Sequence, residues 1–163
     1  LLNKKQQDVA LIYGRRRVGK SELIKECLRN NSTRSIYYEC KQTTEMNNVD
    51  SLAGLISEAF ALPPLAFKNI EAVLEFFFKQ AQGMPLILVL DEYPYLRDAV
   101  KGMDSIMQSL IDKYQDISRL KLIICGSYVD TMRSLLLMQN PLFGRVSLTI
   151  DLKPMNYRES ALF

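Results

Sequence analysis

The sequence contains no histidine. That removes imidazole as a general acid or base, and with it most zinc chemistry. Cysteine is scarce: Cys27, Cys40 and Cys125 stand far apart, with no C-x-x-C pair among them. Neither a disulfide framework nor a zinc site fits that spacing. Three reduced, mostly buried thiols of a cytoplasmic protein are expected instead. Long apolar runs are missing too. The longest, Met84 to Leu90, is strand-sized and ends in Asp91-Glu92, so no membrane span is read. Leu1-Leu2-Asn3-Lys4-Lys5 has no apolar stretch behind its charges, and no secretory signal is read there. Charge of one sign is not in excess: 21 Lys and Arg face 18 Asp and Glu, a net +3. That balance permits a nucleic-acid partner without arguing for one.

What remains is an ordinary globular composition, 48% hydrophobic and 24% charged over 163 residues. One domain with a proper core is expected. There is no internal repeat and no low-complexity linker. Strand-like runs cover Val9 to Tyr13, Ser35 to Cys40, Leu86 to Leu90, Leu120 to Cys125 and Ser147 to Leu152. Helical spacing covers Gly19 to Asn30, Asn48 to Phe60, Ile70 to Gln82, Asp98 to Tyr114 and Tyr128 to Met138. Asn30-Asn31-Ser32, Pro63-Pro64, Gly83-Met84-Pro85 and Asn140-Pro141 supply the stops. Alternating strands and helices predict an α/β fold, a parallel sheet with helices on both faces. Phe76, Phe77 and Phe78 read as core.

One run carries specific chemistry. Gly14-Arg15-Arg16-Arg17-Val18-Gly19-Lys20-Ser21 fits G-x-x-x-x-G-K-[ST], the nucleotide-phosphate loop. It lies between a predicted strand and a helix that begins with Glu22, as the chemistry requires. Glycines let the backbone approach phosphate, and the helix start offers free N–H groups and partial positive charge. Lys20 would reach the β- and γ-phosphates of a bound nucleotide, and the Ser21 hydroxyl would ligate Mg²⁺. The nucleotide-binding set is Gly14 through Glu22. Arg15, Arg16 and Arg17 are expected to contribute backbone N–H groups first, their side chains pointing to solvent.

Leu86-Ile87-Leu88-Val89-Leu90-Asp91-Glu92 complements it. An apolar strand ending in acid is what a Walker B motif looks like, and ligands of open α/β sheets bind at the carboxyl ends of strands. Asp91 would hold Mg²⁺, and Glu92 would activate the attacking water as general base. Ser127 ends the next apolar run. It could hold the water or read the γ-phosphate, or it could cap the helix from Tyr128. Arg145, after Pro141-Leu142-Phe143-Gly144, could act as a finger on a neighbouring subunit's nucleotide, which implies a homo-oligomer, or it could be a surface arginine.

With these strings together, the chain resembles the archaeal and bacterial AAA+ ATPases related to the STAND class. The resemblance rests on Ile12 to Ser21, Leu90-Asp91-Glu92-Tyr93-Pro94-Tyr95-Leu96, Cys125-Gly126-Ser127 and Pro141 to Arg145, and it covers nearly the whole chain. It implies a three-layer P-loop ATPase core over residues 1–163, with sheet order 5-1-4-3-2 and ATP and Mg²⁺ as ligands. By position it makes Lys20 and Ser21 phosphate and Mg²⁺ ligands, Asp91 a Mg²⁺ ligand, Glu92 the base, Ser127 sensor 1 and Arg145 the trans arginine. In similar proteins a helical or winged-helix segment follows, and often a nuclease-like domain. The Leu1-Leu2 start, read as the tail of an "R-E-x-E-L" helix, and a helix starting near Glu159 are therefore taken as signs of a fragment. Domains outside it would carry any DNA or protein partner.

Three functions compete at this point. The first is an ATPase acting as a conformational switch or motor for further domains. The second is a nucleotide-dependent DNA- or protein-binding regulatory module with little turnover. The third, a small-molecule kinase, has no acceptor pocket in the sequence to support it. ATP is preferred over GTP by the resemblance, and no N-K-x-D string occurs.

Overall fold

The computed structural model describes residues 6–154. The elements run β1 (Asp8–Tyr13), α1 (Lys20–Arg29), β2 (Ser35–Glu39), α2 (Glu45–Phe60), α3 (Ile70–Gly83), β3 (Leu86–Asp91), α4 (Tyr93–Ala99), α5 (Met103–Tyr114), β4 (Leu120–Gly126), α6 (Val129–Ser134) and β5 (Leu148–Asp151). The five strands form one parallel sheet in the order β2-β3-β4-β1-β5. This is the expected order 5-1-4-3-2 read from the other edge. The expected helix near Glu159 and the Leu1-Leu2 start lie outside the described residues. Among the described residues no helix is long and apolar enough to cross a membrane.

β1, β3 and β4 are buried along their whole length, which is why they are mostly apolar; the buried charges Lys121 of β4 and Asp8 of β1 pair with each other at 3.0 Å. The period of two then sorts their side chains between two layers. Val9, Leu11, Leu88, Leu90, Leu122 and Ile124 face the larger core, with Val49, Leu52 and Ile56 of α2, Val73, Leu74, Phe77 and Phe78 of α3, and Met107 and Leu110 of α5. Ala10, Ile12, Ile87, Val89, Ile123 and Cys125 face the other side, where Ile24 and Leu28 of α1 cover them. The two layers are unequal: α1 alone supplies the helical residues of the second cluster. Phe76 packs half-buried at the rim of the core that holds Phe77 and Phe78.

Three boundaries differ from the sequence reading. The helix expected from Asp98 to Tyr114 begins only at Met103, and a separate helix, α4, ends at Ala99 before it. α4 starts directly after Glu92, where Pro94 suits a helix start, and the chain breaks at Gly102, whose φ of 74° ends any continuous helix. α2 begins at Glu45 because Thr44 caps it, accepting from the Asn47 amide. α6 closes at Ser134, and turns follow to Arg145. Cys40 and Cys125 are buried as expected, but Cys27 is exposed on α1.

Candidate nucleotide site

The strand order brings the three motif segments together. β1 and β3 both flank β4, so the ends at Tyr13, Asp91 and Gly126 are neighbours. The loop leaving β1 turns at Gly19, where φ is 93°, a backbone state that glycine adopts without strain. The first turn of α1 has no side-chain cap. Its N–H groups are therefore left for an outside acceptor. Gly14 has a different reason to be glycine: a Cβ there would lie 2.2 Å from the carbonyl oxygen of Leu152.

Lys20 is buried at the loop's centre. Its Nζ donates to the carbonyl of Gly14 at 2.8 Å and that of Arg15 at 2.9 Å, which closes the loop on itself. Next to it the Ser21 hydroxyl donates to Asp91 Oδ2 at 2.8 Å. The Glu92 amide donates to Asp91 Oδ1 at 2.9 Å. Tyr37, from β2, donates its hydroxyl to the same Oδ2 as Ser21. Burial, with the Asp91 carboxylate beside it, pushes the Tyr37 phenol well above its ordinary range. It is a proton donor at neutral pH.

Glu92 is held in the left-handed region at φ 53°. A non-glycine residue there points to a constrained site, as does Arg17 at φ 64° in the loop. Both Glu92 carboxylate oxygens accept from the Ser127 hydroxyl, at 2.8 and 2.9 Å, and one also accepts from the Ser127 amide at 3.3 Å. Ser127 thus serves Glu92, and α6 starts from Tyr128 with no side-chain cap.

Of these groups Lys20, Ser21 and Glu92 border an open cleft of about 510 Å³. Arg16, Arg17, Gly19, Lys20, Ser21 and Glu22 form one wall, and Glu39, Glu92 and Tyr95 the other. Glu22 is exposed and pairs with Lys25 at 3.8 Å. Val18 is half-buried, and Arg15 is exposed. The arginines do not all point to solvent: Arg16 crosses the cleft mouth and donates to the Tyr95 hydroxyl at 3.0 Å. Tyr95 in turn meets the Tyr128 ring edge-on at 6.0 Å between centroids.

Arg145 is not brought to this cleft. Its guanidinium forms a fork with Asp112 of α5, at 2.8 and 2.7 Å, and donates to the carbonyls of Pro141 and Phe143 at 3.0 Å. A role on a neighbour's nucleotide requires giving up these partners. Two turns earlier on α5, Asp104 gathers three donors: Tyr93 at 3.0 Å, Arg97 at 2.8 Å and Asn140 at 3.0 Å. That knot ties α4, which starts beside Glu92, to the turns leading to Arg145.

Sequence reasoning missed Tyr37, Tyr95 and Asp104. For Tyr37 the signal was present: it shares a strand face with Glu39, and Glu39 pairs in register with Asp91. For the other two the partner lies on a different element, and no local spacing announces it.

The donor set fits a nucleoside triphosphate with Mg²⁺. An ammonium and an uncapped helix start suit phosphate, and a hydroxyl paired with a single carboxylate suits a cation that keeps several waters.

Comparison with known proteins agrees with this geometry. One family profile, described as an ATPase domain predominantly from Archaea, matches residues 1–163. An uncharacterized protein of Methanocaldococcus jannaschii is 27% identical over 158 residues, 96% of this chain and 34% of that protein. A Walker-type ATPase of Pyrococcus abyssi superposes with TM-score 0.68 at 22% identity, covering 94% of this chain and 51% of the other. The ORC1 protein of Aeropyrum pernix, solved in complex with DNA, gives 0.66 at 18% identity, with 93% and 41% coverage. The ORC2 protein of the same organism, solved as ADPNP-ADP complexes, gives 0.63 at 16% identity, with 94% and 43% coverage. The solved structures share the fold. This chain spans about a third of its curated relative and about half or less of each solved chain.

Proposed function

Since the chain belongs to the family of ATPase domains found predominantly in Archaea, we propose that it binds ATP with Mg²⁺ and hydrolyses it to ADP and phosphate. The observation that carries this reading is the 2.8 Å bond from the Ser21 hydroxyl of α1 to Asp91 Oδ2 at the end of β3, beside the buried Lys20 ammonium. Residues 70 positions apart are thus joined in the pair that a Mg²⁺-nucleotide site needs.

The residue roles follow from placement. Gly14 to Glu22 wrap the phosphates, the backbone N–H groups and Lys20 acting together. Lys20 exchanges its two loop carbonyls for phosphate oxygens. Ser21 and Asp91 hold the cation. Mg²⁺, when bound, neutralises charge developing on the phosphate oxygens. Glu92, at the strand end beside Asp91, takes a proton from the attacking water. Ser127, bonded to both Glu92 oxygens, orients that carboxylate and stands ready for the terminal phosphate.

Turnover of ATP by Glu92→Gln tests the assignment. The amide keeps the shape and the Ser127 contact but accepts no proton. Hydrolysis is expected to fall by about 10²–10⁴-fold, the usual range for a general base, with ATP binding retained. Undiminished hydrolysis in Glu92→Gln removes Glu92 from the mechanism.

A second reading has its own support. Glu92 is bonded to Ser127, and Arg145 to Asp112. Both groups expected to speed the reaction are occupied, which favours a slow, nucleotide-dependent binding module. In that reading a DNA or protein partner, or a second copy supplying Arg145, releases them. The switch or motor role for further domains, nuclease-like ones included, rests on the resemblance described above. Stimulation of turnover by DNA, or by raised protein concentration, separates this reading from steady unassisted hydrolysis.

A further inference from the structure

We propose that Tyr37 is a positioning residue for the metal-holding carboxylate of Asp91. The inference deepens the ATPase reading and rests on Asp91 holding the cation.

Three donors from three directions fix the Asp91 carboxylate. Oδ1 accepts the Glu92 amide at 2.9 Å. Oδ2 accepts the Ser21 hydroxyl from α1 at 2.8 Å and the Tyr37 hydroxyl from β2. These donors have different fates. Ser21 is the residue whose oxygen is wanted by the cation, so its bond to Asp91 is the one surrendered on loading. The amide of Glu92 holds only Oδ1. Tyr37 is then the hydroxyl left on Oδ2 to stop the carboxylate from swinging about its Cβ–Cγ bond, with only the weakly donating Cys125 thiol also beside it.

Its own placement is built for that. Tyr37 pairs in register with Val89, two residues before Asp91, so the phenol has to reach along the strand direction to the carboxylate. The ring packs on the small cluster under α1 that includes Ile24 and Val89, and Lys25 of α1 lies 5.6 Å over its centroid. The helix that presents Lys20 and Ser21 therefore also clamps the ring that aims at Asp91. A neutral phenol suits this role, because it donates a bond yet leaves the carboxylate its full charge for the cation.

Tyr37→Phe removes one oxygen and keeps the ring, so the packing under α1 survives. The test titrates Mg²⁺ against binding of a fluorescent ATP analogue, with a parallel measurement in EDTA. Mn²⁺ bound to the protein–nucleotide complex, followed by electron paramagnetic resonance, gives a readout independent of turnover. The expected result is a rise of about tenfold in the Mg²⁺ concentration at half-saturation, the low end for loss of an outer-shell partner. Affinity in EDTA stays at the wild-type value. Asp91→Asn run alongside separates the premise from the proposal. If Asp91→Asn leaves the Mg²⁺ midpoint unchanged, Asp91 is not the cation's carboxylate and the proposal falls with it. If Asp91→Asn raises the midpoint while Tyr37→Phe leaves or lowers it, Tyr37 is no positioning residue. Equal weakening with and without Mg²⁺ in Tyr37→Phe makes the tyrosine merely structural, and also overturns the proposal.

Discussion

Gly14→Ala gives the sharpest test of how the phosphate loop is built. A Cβ at Gly14 would sit 2.2 Å from the Leu152 carbonyl oxygen and 3.1 Å from its carbon. Carbon and carbonyl oxygen settle at roughly 3.3 Å or beyond, so one backbone must retreat by about 1 Å. The loop side is held by Lys20, which bonds the Gly14 carbonyl at 2.8 Å. The other side is the end of β5, a four-residue edge strand with mostly exposed side chains. β5 therefore yields. The Leu152 amide bond to the Tyr13 carbonyl, now 2.7 Å, is lost, together with the adjacent pairing of Tyr13 with Asp151. Two backbone bonds at about 0.5–1.5 kcal/mol each amount to about 1–3 kcal/mol. For a domain of this size about 1 kcal/mol moves the melting temperature by about 2–4 °C, so a fall of about 2–12 °C is expected. The assay is thermal unfolding without nucleotide, paired with hydrogen exchange at the Leu152 amide. Wild-type melting with an equally protected Leu152 amide would refute the account, because the methyl would then have found room that the backbone does not show.

Two other predictions concern the scaffold. Glu75 on α3 accepts from Lys113 and Tyr114 of α5, and these bonds hold its carboxyl down at about 2 against an ordinary 4.5. A lowered folded value adds stability above the unfolded value and loses it as pH falls from 4.5 through 2. Glu75→Gln is therefore expected to lower the urea midpoint near neutral pH, with the gap to wild type closing toward pH 2; a gap independent of pH would count against the ion pair. Burial pushes the thiols of Cys40 and Cys125 well above their ordinary range, with Asp91 adding to the effect, while Cys27 is exposed. A maleimide added to the native protein should label Cys27 alone, and the other two only after unfolding, as read by peptide mass mapping.

The Gly14–Ser21 loop stood out because phosphate binding, as proposed, imposes residue types on one short segment. Gly19, Lys20 and Ser21 each answer a local requirement. The buried strands were legible for a similar reason, since β3 and β4 are covered on both faces and are apolar apart from Asp91 and the paired Lys121. What escaped was chemistry joined across elements. Tyr37 meets Asp91 from the neighbouring strand, and Ser127 meets Glu92 from 35 positions away. The pairing of Arg145 with Asp112, 33 positions earlier, has no local sign either. The break between α4 and α5 was hidden because Leu96, Val100, Met103 and Met107 keep an apolar spacing through it, all facing the core. Gly102 was the one local sign.

The sheet order has a consequence for synthesis. β1 leaves the ribosome first and carries the phosphate loop, yet both its neighbours, β4 at Leu120–Gly126 and β5 at Leu148–Asp151, come late in the chain. β2 and β3 can pair with each other while β1 still waits. The site proposed for nucleotide is therefore complete only after β4 and β5 have emerged, and the wait is set by long-range closure. On the proposed function, ATP would stabilise only chains that have already completed this sheet.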